Sequence, residues 1–366
     1  MPLERKCKLG VLLLVFFLMF GFYLTGGRGA VNSRAPAPSW FVPCFRLPSR
    51  ASFCGEPVPL RSWDVRERFD REFTIVTQSH AQVYLWLKRK QCYFPWVDSL
   101  LARLGLPGDL KYVAVAESDL MSYAVSGAGA VGPWQFMAGT ACRYGMTCNP
   151  IVDDRYDFEK SATAAFEYLN HLHDVFHNWT LAVAAYNCGQ SRLEAAIALD
   201  HSHSYYNLVL PLETERYIFR ILAIKEVMEH PARYGYYLPK GAGYPPLIFD
   251  TVRLSLPGPM PIIDAAQSMG VTYRDIKVLN PELISDVIPG GNSTVRVPEG
   301  RAKRFERAVA EWKSTYKPIV VVHKVLRGET INSIARRYNV TTGQLCEWNH
   351  IAGSKIVIGR KLKIYR

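Results

Sequence analysis

A chain of 366 residues is long enough for two or three domains, each burying its own core. With 49% apolar and 21% charged residues the composition is that of a globular protein, which excludes a disordered or fibrous chain. The formal charge of +12 points to an anionic partner, and charge alone does not choose among nucleic acid, a membrane surface and an acidic polymer.

At the N-terminus Arg5, Lys6 and Lys8 precede an apolar run from Leu9 to Leu24. This charge-then-apolar order reads as an export segment, residues 1–27. About sixteen residues is short for a full span and long for a signal core, so a cleaved signal and an uncleaved anchor both fit, the anchor being slightly favoured. Residues 28–61 are rich in Pro, Ser and Arg without a sustained period, which predicts a linker. Of the eight cysteines, Cys7 falls on the cytosolic side of the segment, leaving an odd number outside. Cys142 and Cys148, or Cys44 and Cys54, could close short loops in an oxidising compartment, and reduced buried thiols fit equally well. There is no C-x-x-C, so no zinc cluster is expected.

Helical periodicity runs over Phe73–Lys90 and Tyr93–Leu104, and "LPGD" then breaks the chain. Further helices are expected at Pro133–Tyr144, Phe158–His177, Trp179–Ala185, Gln190–Leu199 and Glu213–His230. Together they predict an α-helical domain over residues 62–246. Beyond it the pattern changes to strand, helix, helix, strand in residues 247–300, and the same plan recurs in 319–366. Between the copies, residues 301–318 read as a basic amphipathic connector helix. The expected fold is therefore mainly α, with small βααβ modules at the C-terminal end.

Between the "LPGD" break and residue 121, Leu110, Val113, Ala114, Glu117, Leu120 and Met121 share one helical stripe. A carboxylate stands there where a core residue is expected. Partial burial disfavours its ionised form, and a carboxylic acid still neutral at pH 7 can protonate a poor leaving group such as an alkoxide. The bland alternative is a glutamate bonded to a backbone amide near a helix end. Next comes "SGAGAVGPWQF", residues 126–136, whose glycines let backbone approach a ligand while Trp134 and Gln135 offer an apolar wall and an amide. "AVAAYNCG", residues 182–189, adds a phenol and an amide ahead of a helix break. Such groups suit a sugar's hydroxyl and N-acetyl groups and its apolar face.

These stretches, with "VDDRYDFEKSATAAFEYL" and "LPLETERYIFRILA" in the same order, resemble the lytic transglycosylases with a goose-lysozyme-like (SLT) fold, the membrane-bound murein enzymes of type D in particular. The likeness covers roughly residues 65–240. It implies that Glu117 is the single acid/base and Ser118 its usual neighbour. Ser126 and Gln135 then match positions that contact the sugar and orient the acid, Tyr186 and Asn187 flank the reacting ring, and Tyr217 is a second active-site tyrosine. One departure is Pro133, where the family more often carries Leu, Ile or Met; proline is tolerated in a first helical turn, so a changed wall is expected rather than lost activity.

The resemblance also implies a mechanism. Glu117 would protonate the bond between N-acetylmuramic acid and N-acetylglucosamine while the substrate's N-acetyl group stabilises the developing cation. Glu117, now a base, would activate the C6 hydroxyl to attack C1 and leave a 1,6-anhydromuramoyl end, with no second carboxylate. Asp119, Asp153, Asp154 and Asp157 are the nearest candidates for a second acid, and the last three read as helix-entry and structural residues.

"HKVLRGETINSIARRYNVTTGQLCEWNHI" with "IVIGRKLKIY" resembles a LysM module, which implies binding of chains containing N-acetylglucosamine. The implied contacts are Gly328, Glu329, Thr330 and Ile331, together with Ile356, Val357, Ile358 and Gly359. Residues 247–300 resemble a worn copy. His173 and His177 lie four apart on an expected helix, but the matching Glu is absent and no third ligand is apparent, so neither metal nor cofactor is expected. The expected partners are peptidoglycan glycan strands and, through the N-terminal segment, a membrane. A monomer in the periplasm or cell envelope, without nucleic acid, completes the expectation. The competing functions are a hydrolytic muramidase and a non-catalytic wall-binding scaffold.

Overall fold

The computed structural model describes residues 43–338, 340–353 and 355–365. The export segment with Cys7 and residues 28–42 of the expected linker lie outside them. Among the described residues no helix is long and apolar enough to cross a membrane.

The end of the expected linker is structured. β1 (Ser52–Phe53) and β2 (Glu56–Pro57) pair antiparallel, and Phe53 is fully buried in the helical core. Glu56 also accepts from the backbone N–H groups of Trp179 and Thr180, at 2.5 and 3.0 Å, and so satisfies the open start of a later helix.

Eight helices follow. α1 (Trp63–Gln78) buries Val65, Phe69, Phe73 and Val76, a stripe at helical spacing, against α8 (Leu212–Glu229); Phe69 stacks on Phe219 at 6.3 Å. α2 (His80–Leu104) runs unbroken through Pro95, and the chain breaks at Ser79 instead. An interior proline costs about 3 kcal/mol, which burial of Phe94, Val97, Leu100 and Leu101 around it offsets. α3 (Lys111–Ser118) has Tyr112 through Ala116 buried. α4 is shorter than expected, Ala138–Arg143, because residues 132–135 form a turn and Phe136 bridges back to Val131. α5 (Phe158–Phe176) starts on Asp157, whose carboxylate accepts the Lys160 N–H at 2.8 Å. α6 (Trp179–Cys188) buries every residue from Trp179 to Ala185, as befits a helix through the centre of the domain. α7 (Gln190–Asp200) completes the set. One apolar cluster joins the hairpin and α1 through α8.

The second core belongs to the first βααβ unit: β3 (Phe249–Leu256), α9 (Ile262–Met269), α10 (Tyr273–Leu279) and β6 (Gly291–Pro298), with β4 (Met260–Pro261) and β5 (Val287–Ile288) as a short extra pair. β3 and β6 run antiparallel from Phe249↔Pro298 to Leu256↔Gly291, and Val252, Leu254, Leu256, Val295 and Val297 alternate inward. The expected connector, α11 (Ala302–Thr315), is part of this unit, since Phe305 and Val309 are buried in its core.

The third core holds β7 (Val320–Lys324), α12 (Ile331–Tyr338), α13 (Thr342–Asn349) and β8 (Lys361–Tyr365). Its kinship with the first unit is visible in one clamp. Asn280 donates to the carbonyls of Ile276 and Arg296 and accepts the Arg296 N–H. Asn349 does the same with Leu345 and Lys363. Both second helices also start on a capping box, Thr272 with Asp275 and Thr341 with Gln344. Residues 316–319 alone connect α11 to β7, and the first of them, Tyr316, is packed on Trp312 at 4.7 Å between ring centres.

Candidate active site

Glu117 lies in the last turn of α3, half-buried among apolar neighbours. The helix ends on two successive left-handed residues, Asp119 at φ 57° and Leu120 at φ 62°, which bond back to Val115 and Ala114. Asp119 tolerates this conformation and is gripped from α2: the Trp86 indole donates to its carboxylate at 2.7 Å and Arg89 to its carbonyl at 2.9 Å. Asp119 is thereby a structural cap rather than a second acid.

The chain then folds back as the loop 121–137. Gly132 is required in it, because φ is +83° and a Cβ would stand 1.8 Å from the Arg155 carbonyl oxygen. Two successive carbonyls of this loop are held by residues around the acid. Ser118 donates to Pro133 O at 2.8 Å and Tyr186 to Trp134 O at 2.6 Å. Trp134, fully buried, meets Phe166 edge-on at 4.9 Å. Gln135 has φ 49° and spends its amide N–H groups on the carbonyls of Gly132 and Ala124. Ser126 accepts the Ala130 N–H at 2.9 Å and closes the loop's tip.

Tyr217 reaches in from α8 and donates to a carboxyl oxygen of Glu117. Burial pushes the Glu117 carboxyl up to about 7; the Tyr217 hydrogen bond and Arg220 pull it down, and Glu213 adds to the rise. Burial and the neighbouring acid push both Tyr186 and Tyr217 well above the usual phenol range, so both stay protonated donors. Asn187 accepts from Thr214, itself buried, at 2.8 Å.

The structure thus brings Glu117, Ser118, Tyr186 and Tyr217 together and ties Gln135 to the same loop. Neither Ser126 nor Gln135 hydrogen-bonds the acid among the described residues; Tyr217 does. The sequence reading missed Trp86, Arg155 and Thr214, whose roles depend on partners far along the chain. Asp153, Asp154 and Asp157 are structural: the first binds Arg155, the second accepts from Lys160, and the third caps α5. His173 stacks on Trp179 at 4.0 Å. All seven described cysteines are free thiols, Cys142 and Cys148 among them.

In the last unit Gly328 takes φ 86°, Glu329 accepts from the Leu326 N–H and pairs with His323, and Thr330 accepts from the Ser333 N–H. Val357 and Ile358 are exposed, Gly359 takes φ 85°, and Ile356 packs partly on the core. Ile331 is buried, so its side chain belongs to the core rather than to a contact surface.

Comparison with known families matches residues 104–209, the stretch carrying Glu117, Gln135 and Tyr186, to the transglycosylase SLT domain. The chain contains an SLT domain. Residues 249–314 match the LysM-like domain of the lytic transglycosylase MltD, α11 included, and residues 323–364 match the LysM domain. Membrane-bound lytic murein transglycosylase D of Escherichia coli K12 is a homologue, 30% identical over 292 residues that cover 75% of this chain and 64% of the relative. The chain therefore spans somewhat less than two thirds of that relative's length. A putative tributyltin chloride resistance protein of an Alteromonas species is 31% identical over 116 residues, 31% of this chain and 56% of its own. Among solved structures, the 70 kDa soluble lytic transglycosylase of Escherichia coli aligns at TM-score 0.36 and 21% identity, covering 46% of this chain and 29% of that one.

Proposed function

We propose that the chain is a peptidoglycan lytic transglycosylase of the cell envelope, cutting between N-acetylmuramic acid and N-acetylglucosamine. The observation that carries this reading is a carboxyl in the SLT domain held protonated up to about pH 7 by burial, yet not wholly closed off from solvent, with Tyr217 bonded to it. A protonated carboxyl supplies what glycosidic cleavage needs first, a proton on the departing oxygen. The substrate's N-acetyl oxygen shields C1 as the bond breaks. Glu117, now ionised, takes the proton of the C6 hydroxyl as that oxygen bonds to C1, which closes the 1,6-anhydro ring without water and restores the acid. Tyr217 steadies the ionised form between the two steps, and Tyr186 and Ser118 keep the 132–135 turn against the acid. The LysM units hold the polymer; the resemblance of Gly328, Glu329, Thr330 and 356–359 to glycan contacts supports that part. The reading takes the acting species to be a monomer. The charged-then-apolar N-terminus and the membrane-bound homologue favour an anchor in the inner membrane.

The test is digestion of purified sacculi followed by mass spectrometry. Anhydro ends are expected, and Glu117→Gln should lower their release by about 100-fold or more, the usual worth of a general acid. Ordinary reducing ends would reassign the chain to hydrolysis, and undiminished release by the variant would remove the enzymatic reading.

A further inference from the structure

The first LysM-type unit is seated on the catalytic domain through one segment, residues 151–159. Val152 bridges to Leu283, the Ile284 N–H donates to Ile151 O at 3.0 Å, and the Asp153 N–H donates to Glu282 O at 2.8 Å. Arg296, on β6, donates to the fully buried Asp157 at 2.5 Å and to Glu159 at 3.3 Å. From this seam a path leads straight to the loop beside Glu117. The Asp153 carboxylate holds Arg155 at two points, 2.7 and 2.9 Å. The same guanidinium donates to Phe136 O at 3.0 Å and Gly129 O at 3.3 Å, the two arms of the loop that carries Gln135.

Comparison of the two copies inside the chain shows that the seam is specific to the first. Counting from the shared asparagine clamps, Glu282 stands where the second copy has Ile351, and Arg296 stands where it has Lys363. In the second copy those positions are a buried core residue and an exposed lysine. Where the second copy has an apolar residue and a surface lysine, the first has a carboxylate 3.9 Å from Arg296 and, in Arg296 itself, the side chain that reaches the catalytic domain. Charge-assisted, two-point arginine contacts fix geometry more tightly than apolar packing does.

We propose that the first LysM-type unit is a brace for the catalytic loop, with Arg296 and Arg155 as positioning residues that hold residues 126–136 in register with Glu117. This rests on the catalytic reading above for its consequence, and on the seam alone for its geometry. Among the described residues Arg296 is the cation that forms an ion pair with Asp157, so truncating that arginine leaves a buried carboxylate with its helix-cap hydrogen bond but no countercharge, and loosens the seat.

The experiment uses the full chain with Arg296→Ala and Arg296→Lys, the latter being the residue of the sister copy. Three readouts are taken: amide hydrogen exchange of residues 126–136, turnover of a short soluble glycan fragment, and pull-down by sacculi. In Arg296→Ala exchange of the loop should quicken about tenfold and kcat on the short fragment should fall roughly ten- to hundredfold, with KM and pull-down little changed. Arg296→Lys should lie between wild type and Arg296→Ala, and it carries the test if the alanine variant fails to fold. Unchanged loop exchange overturns the brace, as does a loss of sacculus binding with short-fragment turnover intact, which would make the unit a glycan holder. Faster loop exchange in a chain whose wild type releases no anhydro ends would leave the brace standing and remove the catalytic reading.

Discussion

Glu117 keeps its proton because the end of α3 is buried, and Tyr217 sets how far that effect runs. A hydrogen bond to a carboxylate stabilises the charged form, so removing it raises the pKa further. The acid form is needed at the outset, and kcat/KM should hold at low pH and fall as pH rises through about 7. In Tyr217→Phe that falling limb should move up by about half to one pH unit, with a rate loss of about tenfold; a pH profile on glycan fragments checks it, and a limb that stays or moves down contradicts the assignment. Glu117 itself was legible in the sequence as a charge on an apolar stripe. The function of Ser118 was not, because its hydroxyl reaches Pro133 O across a fold-back that periodicity does not encode. Nor could sequence spacing pair Asn187 with Thr214 or Asp119 with Trp86.

At the scale of elements, α5 through α8 were read close to their true limits. Three of the errors share one cause, a partner supplied from elsewhere in the fold. Pro133 looks like a helix start, yet the carbonyls of residues 132, 133, 134 and 136 go to Gln135, Ser118, Tyr186 and Arg155 instead of a helical ladder. α11 shows an amphipathic stripe, but Phe305 and Val309 do not reveal from sequence which core they enter. Residues 52–57 are too few for a strand signal, and their hairpin depends on burying Phe53 and on Glu56 capping α6. The loop that all this supports has one intolerant point. Gly132→Ala meets both a left-handed φ and a carbonyl at 1.8 Å. A loss of about 3 kcal/mol or more is expected, seen as a melting temperature lower by about 6–12 °C. An alanine variant that melts like wild type would mean the turn is not as tightly closed as described.

At the scale of the molecule, three apolar cores follow one another along the described residues, and the last belongs to residues 321–364 alone. Ending the chain after Lys317 removes that core entire and leaves the other two and their seam intact. Turnover of short soluble fragments by the truncated chain should stay within about twofold of wild type, while capture by sacculi falls by at least about tenfold, as expected when one of several linked contacts is lost. A comparable loss on short fragments would show that the last unit takes part in the chemistry. The two units therefore divide in kind: one is bolted to the domain, the other is hung from it. The strap between them is four residues, 316–319, with Tyr316 already pinned to Trp312. Fully stretched it reaches only about 14 Å. On the proposed reading, a strand gripped at the free end is kept on a short leash at millimolar local abundance, so successive cuts should cluster along one strand before the polymer escapes.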